Sequence, residues 1–540
     1  MATEVRWRRG TTAENDAFTG AEGEITVDID KNTIRVHDGV TQGGHPSLTE
    51  EFAHEDDITY NIPSDFPTLQ DAIDQLSLHK ILNNQMVILN IESGHKLESG
   101  FKIIGGDYSR VKITSEDDTV YLSSDWSGYS ESEMLDSVRD DRDDVLIIGQ
   151  NTVMPVLDCL IDMEGSGGNG YYLVSNGRFY ITPGSGVINA GWNGIETRNS
   201  VGWMRHSVWD GAKNCGMRIQ QASHIGAHGA TANNCESQAG DAAVFASRTS
   251  ILNVHSGEAK NSGGNAVKVH RSFINFQDGD CSSAADKGIM ATRGGWIYAA
   301  WANASNCEVG GFAYFSGTLN APGINVSNSN THGLLAENGG RIYAPSGIHT
   351  TKCDDCNDHA ISAHEGTTII ATDASIKGTG DGVTVTVAGV FSKGAYVNVC
   401  GSDISDSYGR GLLAENGGQI IANGIIANNC HDIIRCESGN ITADNIEGKD
   451  AKRYAIKNNG GYVTAKNGDL SGSGQDGDWN GCKVSEGGTV NVSNTNLTSE
   501  NNVDEDIVCW EGSIIHAYGA TGTVSKATNE IDSDGIIFKD

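Results

Sequence analysis

The chain has 540 residues, with 37 Lys and Arg against 70 Asp and Glu, and a net charge of −33 at pH 7. Such a field repels phosphate backbones and anionic bilayers, which argues against nucleic-acid binding and membrane insertion. Glycine is abundant (69) and proline scarce (7), the signature of many tight turns and not of a flexible linker.

Residues 1–50 contain no internal repeat. The first thirty lack a basic-then-apolar leader, and no apolar run approaches 18 residues, so a soluble chain without a standard export signal is expected. The stretch TGAEGEITVDIDKNTIRVHDG predicts two strands around the turn Asp30-Lys31-Asn32. Four short motifs stand out: Arg9-Gly10-Thr11-Thr12, Phe18-Thr19-Gly20, Glu24-Ile25-Thr26-Val27-Asp28 and Val36-His37-Asp38-Gly39. Together they resemble the N-terminal domain of phage receptor-binding proteins of the major tropism determinant type. The lectin-like variable domain that follows in that family is absent here. The resemblance implies a homotrimeric virion protein, held to a tail or baseplate protein through residues 1–50.

Residues 51–150 open with SDFPTLQDAIDQL. Thr68 is placed to cap a helix whose Leu69, Ala72, Ile73 and Leu76 form one apolar stripe, suited to lid the first layer of strands. MVILNI, from Met86, reads as an early strand. The acidic stretch from Glu116 to Asp144 reads as an excursion.

Residues 151–520 repeat. HGLLAENGGRIYA begins at His332 and RGLLAENGGQIIA at Arg410, and degenerate copies lie around them. Each copy is a short apolar strand, a polar glycine corner, then x-apolar-x-small. Fifteen inward anchors run from Ile181 through His206 and Ala227 to Ala517, with gaps of 21 to 28 residues and a mean of 24, so the twin stretches stand three coils apart. The leucine-rich pattern is missing, and β-branched strands with Asn-Gly turns exclude helices. The predicted fold is mainly β: a right-handed, pectate-lyase-like parallel β-helix of about fifteen coils at ~4.8 Å each. The final residues 521–540, with DGIIFKD, are expected to pair into or cover the last coil. This body resembles phage tail-spike β-helices.

Twelve cysteines occur. Cys235, Cys307 and Cys430 each sit eight residues after an anchor, as rungs of an interior stack, and reduced thiols are expected. Cys353 and Cys356 form a lone CxxC. No zinc spacing, G-x-S-x-G elbow, HExxH or P-loop occurs, and the DSDG at Asp532 lacks the other ligands of a calcium loop, so no metal or cofactor is expected.

Two outward columns are candidates for chemistry. Glu337, Glu365, Glu415, Glu437, Glu486 and Glu511 fall six or seven residues before an anchor. Glu337/Glu365 and Glu486/Glu511 then sit on adjacent coils. Paired carboxylates cleave glycosides at separations of roughly 5–5.5 Å or 6.5–9.5 Å, and crowding raises one of the two pKa values. The plainer reading is an exposed mixed-charge corner, since Arg248, Arg293 and Lys393 share the column. Three residues before successive anchors lie Trp203, His224, Ile251, Phe273 and Trp296, with Tyr298 beside the last and Trp301, Phe312 and Tyr314 nearby. That apolar line reads either as a seam between chains or as a platform for sugar rings. His206 reads as an inward, hydrogen-bonded core residue.

The expected function is attachment of a virion to a bacterial surface, through a surface polysaccharide. The alternatives are a polysaccharide depolymerase on the same scaffold and a structural spacer. The expected location is the virion tail, after assembly in the host cytoplasm.

Overall fold

The computed structural model describes residues 8–30, 33–46, 57–77, 85–129, 144–237, 241–477, 480–499, 505–524 and 535–540. In the N-terminal domain, Arg8–Gly10 pairs parallel with Ile25–Asp28, which pairs antiparallel with Thr33–Val36, followed by His45–Pro46. Lys31 and Asn32 of the expected turn lie outside the described residues. Thr11 caps the short helix Thr12–Asp16 in a capping box with Glu14. The Thr12 hydroxyl donates to Asp28 and its N–H to Asp30. Arg35 is buried with Asp28, 2.9 Å away, and also bonds Asp16. His37 accepts from the Gly20 N–H and meets the Thr26 hydroxyl. The quoted motifs are thus mostly residues that build this small domain.

From Ile58 onward, every pairing between described strands is parallel. Strands stack like on like, giving a parallel β-helix of about 18 turns. The expected count was fifteen. The extra turns lie upstream, where Ile58–Ile62, Val87–Ile91, Val111–Ser115 and Val156–Asp158 stack without the Asn-Gly-Gly corner on which the repeat was counted. The main ladder runs from Phe101–Ile104 to Ile507–Cys509, and a second, of 16 strands, from Arg178–Tyr180 to Gly535–Phe538. A third side is a file of single bridges from Gly186–Val208 to Asn496–Thr521. One apolar core fills the interior along its length.

The twin stretches are three rungs apart in the main ladder. Their shared corner has a backbone cause. Asn338 and Gly339 have φ of 51° and 76°, and Asn416 and Gly417 have 48° and 78°. A Cβ on Gly340 would sit 2.1 Å from the Ala313 carbonyl oxygen, and one on Gly418 equally close to that of Ser392. Two left-handed residues followed by a close approach leave Asn-Gly-Gly as the fitting sequence.

Two further expectations about the fold are corrected. His206 is exposed in a left-handed corner (φ 52°), whereas Met204 is fully buried. Tyr180 pairs with Trp203 and Trp203 with Gly226, so Met204 is the anchor between Ile181 and Ala227. The template had counted two corner residues as strand. Second, half of the acidic excursion is solenoid: Val120–Ser127 pairs with Leu97–Ser99 and Leu160–Asp162. Glu116, Asp117 and Asp118 form the corner before that strand, where Asp117 accepts from the Gly94 N–H and the Ser93 hydroxyl. Residues 130–143 of that stretch lie outside the described residues.

The ends are closed by side chains and by pairing. Helix Leu69–Ser77 buries Leu69, Ala72, Ile73 and Leu76, and Thr68 accepts the Asp71 N–H. Gln70 donates to the Lys102 carbonyl and accepts its N–H, replacing a neighbour for the first strand of the main ladder. At the other end Gly535–Phe538 pairs with Ser513–His516. All twelve cysteines are free, eleven buried and Cys400 half-buried. The bridge file places Cys235, Cys307, Cys356 and Cys430 at one interior level, separated by rungs carrying Ser, Thr or Ala.

Candidate functional site

The six glutamates do not form one column. Ala336 pairs with Ala363, so His364 stands beside Glu337 and Glu365 falls into the corner beyond. The two corners are equal in length, so Glu365, six residues before Ala371, falls one position past Glu337, which is seven before Ala344. Glu486 and Glu511 are exposed corner residues with φ of 56° and 55°, and Glu511 accepts the Glu486 N–H at 3.0 Å. Glu415 and Glu437 are direct register partners, a pair the spacing argument missed, and Arg435 holds Glu437 at 2.6 Å.

On the second ladder, the register aligns Val201, His224, Ile251, Phe273 and Trp296. Trp203 belongs to the neighbouring outward column, with Asn253, Asn275 and Tyr298. Gly226 makes room for it: a Cβ there would lie 2.5 Å from the indole. Trp203 and Trp296 are each about half exposed (53% and 47%), while Phe273 and Tyr298 are half-buried.

The main ladder carries a second outward surface that the sequence template did not register. Its central column is unbroken from Lys102 to Val508. Tyr172, Phe245, Phe312, Leu335, Phe391 and Leu413 point outward there, yet each is under 9% exposed, wedged among its neighbours in clusters separate from the core. Cations interleave with the rings. Arg218 and Lys268 flank Phe245 at 5.6 and 5.8 Å, and Lys287 lies 5.7 Å from Phe312. Burial pulls Lys268 below the ordinary lysine range.

Midway along this face Ser362 replaces a large residue between Leu335 and Phe391. Histidines gather around the notch. His364 hydrogen-bonds the Ser362 hydroxyl at 3.0 Å, and His359 stacks on Phe391 at 4.7 Å while accepting the Ala388 N–H. His332 packs against His359, with Asp358 at 3.8 and 3.6 Å from the two. Burial pulls His332 down to about 4, against the opposing pull of Asp358. The doubled leucine of HGLLAE and RGLLAE was the available signal: strict alternation would put a polar residue at its second leucine. Among the described residues, no cluster of three or more His, Cys, Asp or Glu is arranged to hold a metal ion.

The architecture is that of a β-helical rod joined to a small N-terminal β domain. Residues 5–41 match the family described as the Major tropism determinant N-terminal domain. Over 46 residues the chain is 63% identical to the tail fiber receptor-binding protein of Bordetella phage BPP-1, covering 8% of this chain and 12% of that relative. The likeness to that relative therefore covers only a small part of either protein. Two solved structures are similar along the chain. The mannuronan C-5 epimerase AlgE6 A-module of Azotobacter vinelandii is 11% identical over 87% of this chain and 100% of that one, with a TM-score of 0.21. The gp42 tailspike of Acinetobacter phage vb_AbaP_AS12 is 9% identical over 99% and 73%, with a TM-score of 0.20.

Proposed function

We propose that this chain is a phage tail fibre or tail spike that attaches the virion to a bacterial surface glycan. The observation that carries the reading is the 63% identity of the N-terminal stretch to a tail fibre receptor-binding protein, set beside a long β-helix in place of anything similar downstream. In this reading residues 1–50 dock on a tail or baseplate protein and the solenoid faces the host. The main ladder's outer face is the glycan site: the cations and imidazoles set among its packed rings supply hydrogen bonds to sugar hydroxyls and acid groups. The second ladder's aromatic face is the seam of a homotrimer. Cytoplasmic assembly agrees with twelve unpaired thiols.

Purified protein added before phage should block adsorption to host cells. A protein that neither binds cells nor competes with phage would overturn the reading. The same incubation with host polysaccharide discriminates catalysis, because new reducing ends or unsaturated sugars would make the chain a depolymerase.

A further inference from the structure

The chain is strongly acidic, yet the central outward column of the main ladder runs the other way. Six of its members are Lys or Arg (Lys102, Arg218, Lys268, Arg435, Lys457 and Lys483), and its one carboxylate is Glu196. Arg435, Lys457 and Lys483 occupy three successive rungs, about 4.8 Å apart.

Arg435 is balanced by Glu437 and Asp432. Lys457 and Lys483 form no ion pair among the described residues. Their ammonium groups lie against aromatic rings instead, Lys457 at 5.5 Å from Tyr454 and Lys483 at 4.0 Å from Trp510. Burial and then the nearby cations Arg435 and Arg453 pull Lys457 down, and burial does the same to Lys483. Asp432 and Glu511 act on the two from beyond ion-pair reach. Trp510, 46% exposed, shows an open ring beside this stripe. Stacked, half-buried like charges without a counter-ion favour an anion from outside, and a polymer with regularly spaced acid groups satisfies two rungs at once.

We propose that the Lys457–Lys483 stripe seats a polyanionic glycan, its acid groups over the two ammonium groups and a sugar face on Trp510. This deepens, and rests on, the receptor reading above. Carboxylate and phosphate groups share the required chemistry.

The test uses the full chain and one polymer backbone in three forms: carboxymethyl dextran, phosphorylated dextran and plain dextran. At low salt, the protein should bind at least one anionic form at least tenfold more tightly than plain dextran. Lys457→Gln with Lys483→Gln should remove that preference at an unchanged melting temperature. Lys449→Gln with Lys466→Gln, which alters ion-paired lysines elsewhere, should keep it. The better of the two anionic forms identifies the acid group. Equal binding of all three polymers, an unaffected double variant, or an equal loss in the control pair would each overturn the proposal. If the chain blocks phage adsorption but shows no anionic preference, the stripe is wrong and the receptor reading stands. Anionic preference without any effect on adsorption supports the stripe and sinks the receptor reading.

Discussion

Phe273 meets Trp296 edge to face, with ring centroids 5.3 Å apart and planes 63° from each other. They are register partners on the second ladder, and Trp296 remains half exposed. Burying such side chains contributes on the order of 1.5–3 kcal/mol each, and a threefold seam would collect that from every chain. Phe273→Ser with Trp296→Ser is expected to give monomers or aggregates by light scattering. A variant that stayed trimeric but no longer adsorbed to cells would move the receptor site to this face.

The corner glycines separate two kinds of strain. Gly366 has a φ of 69° with open space around its missing Cβ, so Gly366→Ala should cost about 1–2 kcal/mol, the left-handed penalty alone. At Gly340 the obstacle is a backbone carbonyl 2.1 Å away, which has nowhere to go inside a stacked ladder. Gly340→Ala should lower the melting temperature well beyond Gly366→Ala. Equal shifts would show that the corner relaxes and that the twin sequences have another cause.

What the sequence disclosed follows from how a solenoid is built. Inward positions repeat with a strand period of two and stack like on like, so Ala344, Ala371 and Ala422 announced themselves, as did the Asn-Gly-Gly corner. Lateral position on the outside depends on the length of each corner. The corner before Ala443 is one residue shorter than that before Ala422, so Glu437 partners Glu415, whereas equal corners leave Glu365 one position beyond Glu337. Two corner residues counted as strand turned His206 inward and put Trp203 in the wrong column. The main ladder's outer column stayed hidden because Leu335, Phe391 and Lys457 fall into one column only when coils of 21 to 28 residues are laid in register.

The thiols should be present but slow. Burial pushes Cys307 and Cys436 up to about 11 and Cys235 and Cys430 up to about 12. Only the thiolate reacts. A thiol reagent at pH 8 should therefore label the native protein slowly, with half-buried Cys400 first, and find nearly all twelve groups in denaturant without reductant. Several missing thiols would mean disulfides and remove the interior-rung account.

His332 should make the solenoid acid-sensitive. Its folded-state pKa is drawn from about 6.5 down to about 4 by burial. The unfolded chain therefore binds the proton first as pH falls. The stability is fully present above pH 6.5 and is lost as pH drops toward 4, by up to about 3 kcal/mol if Asp358 does not adjust. His359, also held low by burial, adds in the same direction. His332→Asn should flatten the fall in melting temperature between pH 7 and 5. An unchanged slope would place the acid sensitivity elsewhere.

Arg35 offers the sharpest test of the N-terminal domain's role. It is buried against Asp28, a carboxylate with no exposed surface, and bonds the Gly43 carbonyl as well. Replacing it with Met removes a buried ion pair from the Asp28 carboxylate, a loss of about 3–5 kcal/mol. A domain of some forty residues has little reserve against that. The solenoid has its own core and ladders, so its melting transition should not move. Arg35→Met should therefore match deletion of residues 1–50: a soluble β-helical trimer that no longer joins virions when supplied in place of the wild-type chain. Particles that still incorporate the truncated protein would show that attachment lies in the solenoid, and residues 1–50 would lose their assigned role.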